Sequence, residues 1–363
     1  MFEIIFLIII CGYFLINTAI ITGASKKFSR LNEDELLPVT VIVAARDEES
    51  NILRCLKALD SQIYDENKLE IIIADDHSTD GTGKIIDGFI EGKKKFKKII
   101  PGKESGNLRG KANAIASAVK IAAGEIIMTT DADCEANPQW VKTVASYYQN
   151  YVGAVNSYTT QQVSGGFSGM QAVDFIYLLA VASGTINISM PVSCIGNNMS
   201  YRKNAYNDAG GYENLPFSVT EDSNLLLAIN KLKKYKLIFP LDKDALVTSL
   251  PCADLKTLFS QKKRWAAGGM GVPIYGAVMM AWALASNLCI FLTPLFFSQV
   301  CLYLTFFKLS IDYFLLYFVH KQLGLTKNLR YFLNFELYYT LYVIVLPLAL
   351  AFNRKVVWKG RKY

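Results

Sequence analysis

Histidine is almost missing from this chain: His77 and His320 are the only two in 363 residues. That scarcity argues against a histidine-built zinc centre and a Ser-His-Asp hydrolase. The seven cysteines, Cys11, Cys55, Cys134, Cys194, Cys252, Cys289 and Cys301, stand singly without metal-ligand spacing, so reduced, mostly buried thiols are expected. The loop after the first strand-like run, residues 44–49, holds no glycine, which removes the dinucleotide fingerprint and with it a dehydrogenase. Charge is absent from residues 4–21 and 265–307, and 337–352 is apolar as well. The first run approaches the ~20 apolar residues that cross a bilayer, and the second is long enough for two crossings.

Only Glu3 precedes the first apolar run, so an uncleaved anchor over 1–24 is expected rather than a signal peptide. Lys26, Lys27 and Arg30 follow it, which places the N-terminus outside and residues 25–270 at the cytoplasmic face of the cell (inner) membrane. A C-terminal membrane region over 271–353 precedes a basic tail, 354–363, with Arg354, Lys355, Lys359, Arg361 and Lys362. A cytoplasmic tail needs an even number of C-terminal crossings, and two are expected, with 313–319 re-entrant or interfacial. The net charge of +7 suits anionic lipid headgroups at least as well as nucleic acid, and no nucleic-acid partner is expected. The cluster Lys93, Lys94, Lys95, Lys97, Lys98 reads as a solvated helix end.

Between the apolar ends, Val39–Ala45 is β-branched and apolar, and Ile52, Leu53, Leu56 and Leu59 follow at helical spacing. Residues 69–74 repeat the strand, end in Asp75 and Asp76, and pass through a turn into a helix around Ile85, Ile86 and Phe89. A third strand is predicted at 98–100, a helix at 111–122 and a fourth strand at 125–130. Strands alternating with helices imply an α/β domain with a mainly parallel, Rossmann-like sheet, whose ligands bind beyond the carboxyl ends of the strands.

That is where the acids lie. Asp131 and Asp133 stand two apart at a predicted strand end, where an extended backbone points both to one side. Such a pair can share Mn2+ or Mg2+ with diphosphate oxygens, although acid pairs also recur in surface loops. Asp222 opens a helical run with Leu225, Leu226, Leu227 and Ile229; it is a candidate general base, and Thr220 a candidate helix cap. Gln261, Arg264 and Trp265 share a helical face from which Lys262 and Lys263 turn away. An arginine and a tryptophan there suit membrane anchoring, or a phosphate and a sugar.

The series 41–49 (VIVAARDEE), 74–82 (ADDHSTDGT), 110–113 (GKAN), 130–133 (TDAD), 196–202 (GNNMSYR), 220–222 (TED) and 261–265 (QKKRW) resembles the family-two glycosyltransferases in order and spacing. The resemblance implies a GT-A fold, a UDP-sugar donor and inversion by a single displacement. By matching position, it implies that Asp75 or Asp76 holds the uridine, with Ala45, Glu48 and Lys111 nearby. Asp131 would lie at the diphosphate and Asp133 would ligate the metal. Gly196, Asn197, Asn198 and Glu221 would border sugar and acceptor, Asp222 would be the base, and Gln261, Arg264 and Trp265 would close the site.

Such enzymes include polysaccharide synthases and ceramide glucosyltransferases. Three or four crossings are too few to enclose an export channel, and the apolar 175–190 segment suits an interfacial element beside the site. A lipid acceptor is therefore expected, with a processive polysaccharide synthase as the alternative. A non-catalytic nucleotide-sugar sensor or transporter subunit is the second alternative, and the intact Asp131, Asp133 and Asp222 speak against it.

Overall fold

The structure, a computed structural model, describes residues 1–352 except the side chain of Met270, and the backbone alone at Val357–Trp358 and Arg361–Lys362. The charges of the basic tail expected over 354–363 lie outside the described residues. Two compact units are formed. One comprises 27–160 and 193–250, and the other 1–26, 161–192 and 251–363.

The first unit is built on seven strands in the order Phe96–Ile99, Leu69–Asp75, Val39–Ala45, Ile126–Asp131, Met199–Arg202, Val152–Asn156, Lys236–Ile238. The first four run parallel, Met199–Arg202 runs against both its neighbours, and the last pair is parallel again. The mainly parallel sheet is thus as expected. Its central strands are buried on both faces, which is why Val39–Ala45 reads as a continuous apolar run instead of an alternating one. The third strand spans Phe96–Ile99, beginning two residues before the expected 98–100. Its lysines disguised it. Lys93 and Lys95 pair with Asp60, Lys97 with Glu70 (2.6 Å), and Lys98 with Asp87 (2.9 Å). This cluster is therefore an ion-paired border on an edge strand, which also blunts edge-to-edge pairing, and is no solvated helix end.

The second unit gathers the apolar helices. Among the described residues, five are long and apolar enough to cross a membrane: Phe2–Ala24, Gly166–Asn187, Ile274–Leu292, Gln299–Leu323 and one within Thr326–Phe352. Helix Gly166–Asn187, expected as an interfacial piece over 175–190, is a 22-residue rod buried among the others. Both its flanks enter one sheet, since Val152–Asn156 before it pairs with Met199–Arg202 after it. A single crossing would separate those strands by a bilayer, so this helix does not carry the chain across. Three C-terminal candidates remain where two were expected, and 313–319 lies inside the continuous helix Gln299–Leu323 instead of forming a re-entrant piece. Residues 161–192 and 251–268, assigned from sequence to the soluble domain, pack with the terminal helices, because only there can their apolar faces be covered.

One polar knot touches all five helices. Buried Lys308 lies 2.7 Å from Asp312 and 2.7 Å from Glu336 and donates to Asn287 (3.2 Å). Tyr13 donates to Asp312 (2.6 Å) and meets the Tyr177 hydroxyl at 2.8 Å. Polar side chains in an apolar bundle pair with one another in this way because no water is at hand. Helix Phe2–Ala24 crosses Gly166–Asn187 at Gly23 and Gly184, where a Cβ on Gly184 would stand 2.5 Å from the Ile20 carbonyl oxygen. That approach is between backbones and cannot yield by a rotamer change. Gly184→Leu should therefore lower the thermal midpoint of the purified protein by about 5 °C or more. Gly88→Ala, whose Cβ would meet nothing within 4 Å, should leave it unchanged or slightly higher. A thermal-shift series on the two variants checks this.

Candidate active site

Register brings the acids to one edge of the sheet. Asp75 pairs with Ala45, and Asp131 with Ala44, so the carboxyl ends of three strands finish level. The loops beyond the first two are laced together. The backbone N–H groups of Asp47, Glu48 and Glu49 donate to Ser78 Oγ (3.1 Å), Thr82 Oγ1 (2.7 Å) and Asp80 Oδ2 (3.1 Å). In return, the N–H groups of Thr79 and Gly81 donate to Asp47 Oδ1 (2.8 Å) and Glu49 Oε2 (2.8 Å). The Thr82 hydroxyl, then the Thr82 and Glu49 N–H groups, hold the Asp80 carboxyl below the usual range. Asp47 (φ 51°) and His77 (φ 56°) adopt left-handed backbone, which non-glycine residues keep only when their surroundings fix it. Asp75 and Asp76 are buried: Asp75 accepts from the Ser78 N–H (3.1 Å), and Asp76 lies 3.5 Å from Arg46. Ala45 contributes its carbonyl to the Asp76 N–H (2.8 Å), and the Glu48 carboxylate accepts from Asn51 (2.8 Å).

The strand stops at Asp131, and the Cys134 N–H closes a turn on the Asp131 carbonyl (3.1 Å). A turn, and not the strand pleat, therefore brings Asp133 beside Asp131. Burial, then the charges of Asp131 and Glu48, push the Asp133 carboxyl up to about 6. Lys111, on the helix Gly110–Ile121, donates to Asp131 Oδ1 (2.5 Å) and lies 3.8 Å from Glu221 Oε1. Burial opposes its charge, but Asp131 and Glu221 outweigh burial and hold the ammonium above its usual range. Behind the pair, Cys55 reaches the Asp131 carbonyl (3.5 Å) and Cys134 the Asp133 carboxylate (3.4 Å). Burial and the two carboxylates push both thiols up, so they stay protonated and inert. All seven cysteines are free.

Among the described residues, no three histidine, cysteine or acidic side chains form a group that could hold a metal by themselves. Two adjacent carboxylates, one of them raised by burial and then by the charge of the other, nevertheless fit a hard divalent cation whose other ligands are phosphate oxygens and water.

Across from these acids, Asp222 begins the helix Glu221–Lys231 and accepts from the Ser223 N–H (2.7 Å). Thr220 stands at the N-cap of this helix as expected, but its side chain makes no cap bond; its hydroxyl meets Ser218 instead (3.2 Å). Gly196 lies against Asp222, where a Cβ would stand 3.0 Å from Oδ2 and 3.2 Å from the aspartate Cβ. Asn197 accepts from Thr159 (2.9 Å). Asn198 differs from expectation: it accepts from the Trp140 indole (2.8 Å) and gives both amide protons to the Tyr158 and Ala245 carbonyls (2.7 and 3.0 Å). With both donors used inside the core, its side chain holds the scaffold and does not line a ligand site.

Gln261, Arg264 and Trp265 belong to the other unit, on the helix Leu255–Gly268, capped by Asp254 accepting from the Thr257 N–H (2.7 Å). Lys262 does not turn away from Trp265 as expected: its ammonium lies 4.6 Å from the centroid of that ring and forms a buried ion pair with Asp174. Sequence reading missed Asp174, although a lone acid in a long apolar helix is a signal in itself.

Residues 126–352 match the model of Glycosyl transferase family group 2, and 40–208 that of Glycosyl transferase family 2. The chain is a family-two glycosyltransferase. A Bacillus subtilis protein named probable glycosyltransferase YdaM is 26% identical over 335 residues, covering 88% of this chain and 76% of that protein. The beta-monoglucosyldiacylglycerol synthase of Nostoc is 27% identical over 240 residues, 64% of this chain, which spans 48% of that enzyme. The mannosyltransferase PcManGT from Pyrobaculum calidifontis, solved with GDP-Man and Mn2+, aligns with a TM-score of 0.62 at 18% identity, covering 93% of this chain and 99% of that one. The GT-A fold expected from the motifs is thus shared.

Because a Cβ at Gly196 would crowd Asp222 from 3.0 Å, Gly196→Ala should slow this glycosyltransferase about tenfold by shifting that carboxylate. The thermal midpoint should move by only a few degrees. Steady-state rates with parallel thermal unfolding check the pair of outcomes.

Proposed function

We propose that this glycosyltransferase moves one sugar from a nucleoside diphosphate donor, a UDP-sugar by its motifs, to a membrane lipid at the cytoplasmic face. The observation that carries the reading is the meeting of Asp131, Lys111 and Glu221 at the sheet edge, with Asp222 beginning the same helix as Glu221. The lipid acceptor is supported by the apolar helices and by the name of the Nostoc relative. The orientation rests on Lys26, Lys27 and Arg30, which also offer contacts to anionic headgroups.

In this reading, Ala45, Glu48, Asp75 and Asp76 border the nucleoside, and Lys111 and Asp131 border the diphosphate. Asp133 and Asp131 hold Mn2+ or Mg2+, which would neutralise charge on the leaving diphosphate. Asp222 accepts the proton of the acceptor hydroxyl while its oxygen bonds to the anomeric carbon and the bond to the diphosphate oxygen breaks. One displacement from the opposite face inverts the anomeric centre. Gly196 keeps Asp222 in place, and Asn197 and Glu221 lie on the acceptor side. By the motif they form, Gln261, Arg264 and Trp265 would contact the phosphates and sugar.

Asp222→Asn should reduce transfer at least about a thousandfold and leave nucleotide binding within about threefold, because the base acts only in the transition state. Loss of nucleotide binding in that variant would make Asp222 a structural residue. Asp133→Ala should abolish Mn2+-dependent nucleotide binding, and retained dependence would remove the metal site. The donor and acceptor are tested on purified protein in lipid, with UDP-sugars and GDP-mannose, by mass spectrometry of the lipid extract. A lipid heavier by one sugar is expected, and a polydisperse product would assign a polysaccharide synthase instead.

A further inference from the structure

Lys262 sits inside the 261–265 motif, yet its side chain is 4% exposed and its ammonium pairs with Asp174, 2% exposed, from a helix 88 positions earlier. The ammonium also lies 4.6 Å from the centroid of the Trp265 ring and 5.4 Å from that of Tyr342. The residue after Asp174, Phe175, meets the Trp265 ring at 5.6 Å. Adjacent residues of Gly166–Asn187 thus grip two residues of Leu255–Gly268 that stand about one turn apart, one through charge and one through a ring. Two such attachments fix both the rotation of the second helix about its axis and its position along it.

Stability does not account for this pair. Taking an ammonium and a carboxylate out of water costs more than their attraction returns unless further bonds complete them, and apolar residues of similar volume would join the helices at least as firmly. Among the described residues, Asp174 Oδ1 meets no hydrogen-bond partner, so the protein itself does not complete the pair. What an ion pair has and an apolar contact lacks is a defined length and direction. The helix it joins to the buried rod carries Gln261, Arg264 and Trp265, whose directions matter for any phosphate or sugar they touch.

We propose that Asp174 is a positioning residue: through Lys262 it sets the rotation of the Leu255–Gly268 helix and so aims Gln261, Arg264 and Trp265 at the substrate. This rests on the reading above that those three contact the donor. A buried carboxylate distant in sequence thereby becomes part of the motif's working geometry.

The test uses the full chain in diacylglycerol-containing vesicles with Mn2+ and a saturating mixture of UDP-glucose, UDP-galactose, UDP-N-acetylglucosamine and GDP-mannose. Nucleoside diphosphate release and the thermal midpoint are measured. Asp174→Glu keeps both charges but lengthens the link by one methylene; it should hold the midpoint within a few degrees while slowing release about tenfold to a hundredfold, since a misplacement near an ångström can cost about a hundredfold. Asp174→Leu combined with Lys262→Met should match or exceed the wild-type midpoint and still be slow by about tenfold or more. Wild-type rates in either well-folded variant would overturn the proposal, and if the double variant does not fold, Asp174→Glu decides alone. Arg264→Ala runs beside them. If it is fast, the motif reading itself has failed and the positioning role falls with it; if it is inactive while the pair variants run at wild-type rates, only the positioning role is lost.

Discussion

Like charges held together in a partly buried place repel, and much of the catalytic unit can be understood as the management of that repulsion. Two unit charges about 4 Å apart interact by about 4 kcal/mol at the effective dielectric of a protein surface. Here Asp131, Asp133 and Glu48 act on one another at the end of a sheet whose register brings them level. Lys111 answers part of the charge by bonding Asp131 and approaching Glu221. Burial, and then the remaining charge, hold the Asp133 proton more tightly than that of an ordinary carboxyl. A site in this condition favours a cation, and it favours a ligand that brings one. The laced loops beyond the first two strands serve the same end, because acids that repel must be held by backbone bonds if they are to stay in place.

Much of this was legible in the sequence because it depends on neighbours in the chain. Val39–Ala45 and the helix Gly110–Ile121 fall where hydrophobic period and turn residues put them. The edge strand was misplaced because Lys97 and Lys98 look like solvent-facing residues until Asp60, Glu70 and Asp87, each from another element, are brought to the lysine border. Asn198 fits its motif, yet its side chain is committed to Trp140, Tyr158 and Ala245, contacts that no local pattern announces. The identity of Asp133 as an acid was visible, but the turn that sets it beside Asp131 was not, since period-two reasoning applies only while the strand lasts.

The apolar helices were legible as apolar and not as an assembly. Gly166–Asn187 carries Gln171 and Asp174, which break the hydrophobic run and made it look shorter than 22 residues. Those two side chains are turned to Cys252 and Lys262, so the breaks in hydropathy are the places where the helix is joined to its neighbours. The same holds for Lys308, Asp312 and Glu336, which look misplaced in a lipid-facing sequence and are instead where the bundle is tied.

The interleaving of the two units along the chain has a consequence for synthesis. The seven strands are all available once residue 238 has emerged, and at that point Gly166–Asn187 has been made but most of its partners have not. Its contacts with Tyr339 and Phe335 through Tyr177 must wait for about a hundred further residues. During that interval an apolar rod projects from a nascent chain whose sheet can already form, and water is a poor medium in which to hold it. A lipid surface would offer the rod cover until the last helices arrive, and Phe2–Ala24, long and apolar enough to cross a membrane, would then act as a tether for biogenesis before it is a wall of the finished bundle.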